Sequence, residues 1–426
     1  MMIAFAAEKL IAKSPYPGLP LDPDATLACL SVLLGLEFRG TIWSREAERK
    51  QVERHMRLVI DGHPETMRTV SPSEPILAEG AHYVMQSRHA AALDSHFQNT
   101  YLSTGEHGEV VAALVIILAR QVASSLPVVP TPSGGVPSAT SKRHPMLKDP
   151  SDSNRRVLPL FHFLRKLLRP ADFEKVHNSS PTQLRKGDDK LFRDIFDDSW
   201  VYFNHCIKAS DLDVVNQKGL LRIMSRGGIL ICANSMRAVD LIIPVTFKGT
   251  ALRPDNITAV LIQVKNDRSF TDKMRTPLFA AMDPIDLGLF AGPSTALPVI
   301  RMVFALASPR PLVDIPAQGR RNKFSKYTAF DIWCAGCCDK TFKVISADEN
   351  AAYQSLLNRT VDRSSTYEMG SQIEDKNITK FKERVVTSRR TMCPGAANDP
   401  AHWSRYMDER EDGGEVEGEG LMDTSE

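Results

Sequence analysis

Residues 228–266 read GILICANSMRAVDLIIPVTFKGTALRPDNITAVLIQVKN. Three apolar runs lie in this stretch, ILICA (229–233), AVDLIIPV (238–245) and ITAVLIQV (257–264), each of strand length and rich in β-branched residues. Asn234 and Ser235 separate the first from the second, and Gly249 with Pro254, Asp255 and Asn256 separates the second from the third. Runs that stay apolar without alternating suit strands covered on both faces. The expected fold is therefore α/β, a mixed central sheet flanked by helices. Four polar residues stand in or just past these runs: Asp240, Gln263, Lys265 and Asn266. On a strand, Gln263 and Lys265 are two apart and share a face. Burying an acid, an amide and a lysine on neighbouring strands is costly unless they neutralise one another or hold a metal. The plainer alternative is a salt bridge from Asp240 to Lys265 at the end of the sheet.

An Asp on one strand, followed one strand later by a carboxylate or amide, any residue and Lys, resembles the PD-(D/E)XK, or restriction-endonuclease-like, superfamily. The matching residues are Asp240, Gln263, Val264 and Lys265. The wider segment also resembles a group of fungal proteins with an LIQVKN-type core. Val239 stands before the Asp, where the family pattern has Pro, and Gln263 takes the place of its Asp or Glu. The resemblance implies a restriction-endonuclease-like core and a metal-dependent nuclease hydrolysing phosphodiester bonds of DNA or RNA. It implies Asp240 as a Mg²⁺ ligand, Lys265 and Gln263 as catalytic-site residues, and a helix carboxylate completing the site. Gln263 offers only a neutral carbonyl oxygen, so a weak or degenerate enzyme is one expectation. A non-catalytic nucleic-acid or protein interaction module on the same fold is the other.

Outward from the strands, residues 105–123 read GEHGEVVAALVIILARQVA, apolar on all sides from Val110 onward, as a helix buried in a core is. Its first turn carries Glu106 and Glu109, three apart on one face. Acids there also favour the positive end of the helix dipole, so the placement has an ordinary explanation. Glu109, nearer the buried part, is the first choice for the helix carboxylate, then Glu106, with Glu79 a weaker competitor. Residues 24–60 and 74–87 are expected to be helical. Residues 188–209 predict a helix with an aromatic stripe (Phe192, Phe196, Trp200, Phe203) that belongs to the core, not to base stacking. A further strand is expected at 298–308, a final strand and turn at 328–344, and a helix at 347–357. Arg320, Arg321, Lys323 and Lys326 form a basic loop suited to phosphate contact or to simple solvation.

The chain then divides into a helical N-terminal elaboration ending in the first core helix (1–123), a Pro/Ser-rich insertion expected to be disordered (124–156), the α/β core (157–345), a polar region (346–407) and an acidic disordered tail (408–426). That tail holds nine acidic residues and one Arg, a charge of −8; the whole chain carries +2, which leaves +10 on the remainder. Such an excess suits a polyanion such as DNA or RNA held through basic faces. Seven cysteines without a secretory leader read as reduced thiols and place the protein inside the cell, in nucleus or cytoplasm, with no membrane partner. Cys334, Cys337 and Cys338 supply half a zinc site, but no second Cys/His pair follows at suitable spacing. Phosphate-binding glycine loops and a nucleophile elbow are missing from the sequence.

Overall fold

The computed structural model describes residues 2–15, 21–40, 45–62, 67–85, 90, 93, 104–125, 157–209, 212–233, 236, 238–316 and 324–358. Residues 126–156 of the expected insertion, most of the polar region, the acidic tail, and Arg320, Arg321 and Lys323 lie outside the described residues, as does the side chain of Glu106, while Ser124 and Ser125 still belong to a helix. In chain order the elements are α1 (Met2–Ile11), α2 (Pro23–Leu34), β1 (Glu37–Gly40), α3 (Arg45–Arg54), β2 (Leu58–Gly62), β3 (Met67–Val70), α4 (Pro75–Val84) and α5 (Thr104–Ser125). They continue with β4 (Val157–Pro159), α6 (Leu160–Leu167), α7 (Pro170–His177), α8 (Phe192–Ile195), β5 (Trp200–Tyr202), β6 (His205–Lys208), α9 (Gln217–Ser225) and β7 (Gly228–Ile231). The last are β8 (Leu241–Thr246), β9 (Ile257–Lys265), α10 (Thr276–Ala281), β10 (Val299–Ala305), β11 (Leu312–Asp314), β12 (Ala329–Ala335) and α11 (Asn350–Asn358).

The three apolar runs form β7, β8 and β9, buried along their whole length except for half-buried Lys265. β7, β8 and β9 are antiparallel neighbours. The chain then passes through α10 and returns as β10, parallel to β9, with β12 parallel to β10 beyond it. The resulting nine-stranded sheet runs β11-β12-β10-β9-β8-β5-β4, with β7 and β6 as a branch from β8. The fold is thus α/β, a mixed sheet flanked by helices. Alternate residues of β9 serve two cores: Val260, Ile262 and Val264 face one, Ile257, Ala259 and Leu261 the other. α5 lies in the first core, and Val111–Ile117 are buried all round. Its span His107–Ser124 is long and apolar enough to cross a membrane, and 67% of that window is buried within the fold.

Two stretches depart from their expected helices. Residues 24–60 make α2, β1, α3 and the start of β2, and β1-β3-β2 form a separate three-stranded antiparallel sheet. Gly35 closes α2 at φ +60, so close to β6 that a Cβ would lie 2.8 Å from the carbonyl oxygen of Cys206. Met56, at φ +57, ends α3, and the β-branched Val59 and Ile60 then favour a strand. In residues 188–209 only Phe192–Ile195 is helical; Trp200–Tyr202 and His205–Lys208 pair with β8 and β7 instead. Pairing with an exposed sheet edge outweighed the helical spacing, although Phe192, Phe196 and Phe203 are core residues as expected.

A buried polar chain fastens α4 and α5 to β6. Arg120 donates to Glu79 at 2.7 Å, and the Asn204 amide donates to Glu79 at 2.8 Å and to the Pro75 carbonyl at 2.9 Å. Asn204 Oδ1 is left to accept from His205 Nδ1 at 2.8 Å, so Nε2 is the atom that accepts from the Ser73 hydroxyl, also 2.8 Å away. Burial, then the charge of Arg226, pushes His205 down to about 4 from an ordinary 6.5. A depressed histidine contributes stability that is complete above pH about 6.5 and lost as pH falls toward 4. Denaturant melts should therefore show a loss of about 3 kcal/mol over that window, reduced in His205→Gln.

Candidate active site

β9 outlasts its antiparallel partner at one end. The last register pair is Leu241 with Ile262, and the Asp240 amide still donates to the Ile262 carbonyl at 2.9 Å. The next β9 amide on that side, Val264 N–H, has no β8 carbonyl to meet. The Asp240 carboxylate takes its place and accepts the hydrogen bond at 2.5 Å. On the other flank the Asp240 carbonyl accepts from Cys232 N at 2.8 Å, at the end of β7. Ala238, two residues upstream, holds φ +68, a left-handed conformation that costs a side-chain-bearing residue roughly 1–3 kcal/mol and concentrates at functional sites. Burial raises the Asp240 carboxyl above its usual range, opposed by the Val264 amide and the charge of Lys265.

Gln263 and Lys265 stand on the neighbouring strand as the spacing requires. Gln263 is 6% exposed, and its Oε1 is buried without a hydrogen-bond donor among the described residues. Such an orphaned acceptor costs about 1–3 kcal/mol unless something outside the chain meets it. Lys265 is half-buried, with Nζ 5.9 Å above the Phe270 ring. Arg275 lies over the same ring at 4.2 Å, so one aromatic steadies two cations. The expected plainer alternative, an Asp240–Lys265 salt bridge, is not formed: the lysine acts on the carboxylate through space without an ion pair within 4.0 Å.

The start of α5 is drawn onto this same end. A Cβ on Gly108 would lie 2.8 Å from Asn266 Cβ and 3.2 Å from Val264 Cγ1, so the helix approaches β9 as closely as glycine permits. The last carbonyls of α11 bind both pieces: Leu356 O accepts from His107 Nδ1 at 3.1 Å and Leu357 O from Asn266 Nδ2 at 3.0 Å. Glu109, half-buried one residue past Gly108, acts together with Asp240 on Cys232; burial and then these two carboxylates push that thiol up. Both carboxylates thus act on Cys232, Glu109 from α5, which packs against the face of β9 that carries Val260, Ile262 and Val264. Glu79 does not join them: its partner Arg120 is eleven residues, about 16 Å, further along α5.

As a metal site the donor set is sparse. Among the described residues no group of three or more His, Cys, Asp or Glu side chains is placed to hold a cation. What is present is one strand carboxylate, one orphaned amide oxygen and a helix carboxylate nearby. These are hard oxygen donors of the kind Mg²⁺ uses, and few enough to suit an ion that keeps several waters and takes the rest from a phosphate. Of these, the Gln263 oxygen is the one left without a hydrogen-bond donor among the described residues. Cys334 and Cys337 are buried free thiols raised by burial. Sequence reasoning missed Cys232 and the bend at Ala238, because their roles arise only when β7 and β8 meet. Protein-family models, curated proteins and solved structures give no match to this chain.

Proposed function

We propose that the chain is a metal-dependent nuclease with a restriction-endonuclease-like core, its site at the Asp240 end of β8 and β9. The Gln263 oxygen, buried without a donor among the described residues, and the buried Asp240 carboxylate, without an ion pair among them, carry the reading, since both suit a cation. Asp240 and Gln263 hold a divalent cation such as Mg²⁺, and Glu109, with Glu106 as the other acid of that turn, adds helix carboxylate charge. The cation, when bound, supplies Lewis-acid stabilisation of the charge that develops on a phosphodiester. Lys265 adds its own positive charge to that phosphate and orients the attacking water, and the Phe270 ring keeps its ammonium in place. Exposed Arg268, Lys273 and Arg275, just past β9, offer phosphate contacts along a DNA or RNA strand.

Purified full-length protein with Mg²⁺ or Mn²⁺ is expected to cleave DNA or RNA, and Lys265→Ala to do so about 100- to 1,000-fold more slowly with an unchanged melting temperature. Equal cleavage by the variant would place the activity elsewhere. The neutral Gln263 at a carboxylate position also supports a second reading, a non-catalytic nucleic-acid binder. Binding without cleavage, weakening steeply with salt, is the result that selects it.

A further inference from the structure

The parallel strands β9, β10 and β12 end together, and the turns that follow them line a cleft. Leu306 N donates to the Lys265 carbonyl at 2.9 Å, and Cys337 N donates to the Leu306 carbonyl at 3.0 Å, so the turns leaving β10 and β12 are stitched to the strand that carries the lysine. Against these turns lies a cleft of about 510 Å³, lined by Ala307, Pro309 and Pro311, by Gln354 and Asn358 of α11, and by Arg268. That volume falls within the range of small-molecule sites, about 300–1,000 Å³, and the carboxyl ends of parallel strands are where α/β sheets receive ligands.

Its polar wall has a definite pattern. Gln354 and Asn358 are four apart on α11 and so share a face. Gln354 Nε2 donates to the Cys337 carbonyl at 3.1 Å, which leaves its Oε1 as an acceptor for the cleft. Asn358 Oδ1 receives Arg268 Nη2 at 3.4 Å, which leaves its amide as a donor. An acceptor and a donor one helical turn apart, in a cleft also lined by proline and alanine, suit the polar edge and the flat faces of a nucleobase. Arg268, exposed and lining the same cleft, adds a positive charge for a phosphate.

We propose that this cleft is a nucleoside subsite, which takes the base next to the phosphodiester held at Asp240 and Lys265. The proposal deepens the nuclease reading by naming its substrate: a base can enter such a cleft only when it is out of the helical stack, so the substrate is single-stranded or unpaired nucleic acid. The test is fluorescence anisotropy on the full chain in EDTA, with a short labelled single-stranded oligonucleotide and the same sequence as a duplex. The parent should bind the single strand about tenfold more tightly than the duplex. Ala307→Trp, which fills the cleft, and Gln354→Ala should each weaken single-strand binding about five- to tenfold, the loss of one base contact, and leave duplex binding and the melting temperature unchanged. Equal affinity for both forms, or single-strand binding in Ala307→Trp equal to the parent's, overturns the subsite. Because no metal is present, this failure is separate from that of the nuclease reading. Metal-dependent cleavage that Lys265→Ala abolishes, with unaltered binding in Ala307→Trp, sinks the subsite alone; single-strand binding that Ala307→Trp removes, in a chain that never cleaves, supports the subsite and sinks the enzyme.

Discussion

Asp240→Asn is expected to lower metal-dependent cleavage by at least about 100-fold and at the same time to leave the metal-free protein as stable as the parent, or more so. The two halves have one cause. Asn can still accept the Val264 N–H bond that Asp240 makes, so the end of the β8–β9 ladder keeps its closure. What is lost is a buried negative charge without an ion pair among the described residues. Because the folded-state carboxyl is raised, the native protein binds a proton more readily than the unfolded chain does. Asp240 therefore withdraws stability as pH rises past the ordinary carboxylate range, and Asn removes that cost. Cleavage rates and thermal melts at neutral pH check both halves. A variant that melts well below the parent would mean that Asp240 serves the fold and not a ligand.

The largest stability effect is expected elsewhere in the same sheet, at Arg301 on β10 and Asp331 on β12. The two stand opposite each other in parallel register, 1% and 6% exposed, and make a two-pronged ion pair of 2.6 and 2.8 Å. The remaining Arg301 nitrogen donates to the Phe279 carbonyl at 2.7 Å and the Tyr327 hydroxyl at 3.1 Å, which ties α10 to the sheet. Arg301→Met leaves a carboxylate buried without a partner and should cost about 3–5 kcal/mol in urea unfolding. The double variant Arg301→Met/Asp331→Leu should recover most of that loss, since an apolar pair of similar volume carries no desolvation penalty. A double variant no more stable than the single one would mean that the cost lies in lost packing.

The sheet's centre was legible because its signal is local. Residues 228–266 carry their own turn residues and three apolar runs, and nothing distant is needed to read them as β7, β8 and β9. The polar residues within them were legible too, since Gln263 and Lys265 follow the two-residue period and Asp240 stands at a strand start. Elements made by long-range pairing were not. Trp200–Tyr202 and His205–Lys208 have helical aromatic spacing but lie on edges that β8 and β7 leave open. Arg301 and Asp331, thirty residues apart, have no common pattern in the sequence and meet only because two parallel strands align. The cleft at the strand ends was illegible for the same reason, as its lining comes from the segments after β9, β10 and β12 and from α11.

The central claim, that Asp240 and Gln263 hold a divalent cation, is tested most directly by electron paramagnetic resonance titration of the metal-free chain with Mn²⁺. The predicted result is a single site in the parent, weakened about tenfold or more in Asp240→Asn and tightened about tenfold in Gln263→Glu, where a second strand carboxylate joins the first. The same Mn²⁺ affinity in all three proteins would contradict it.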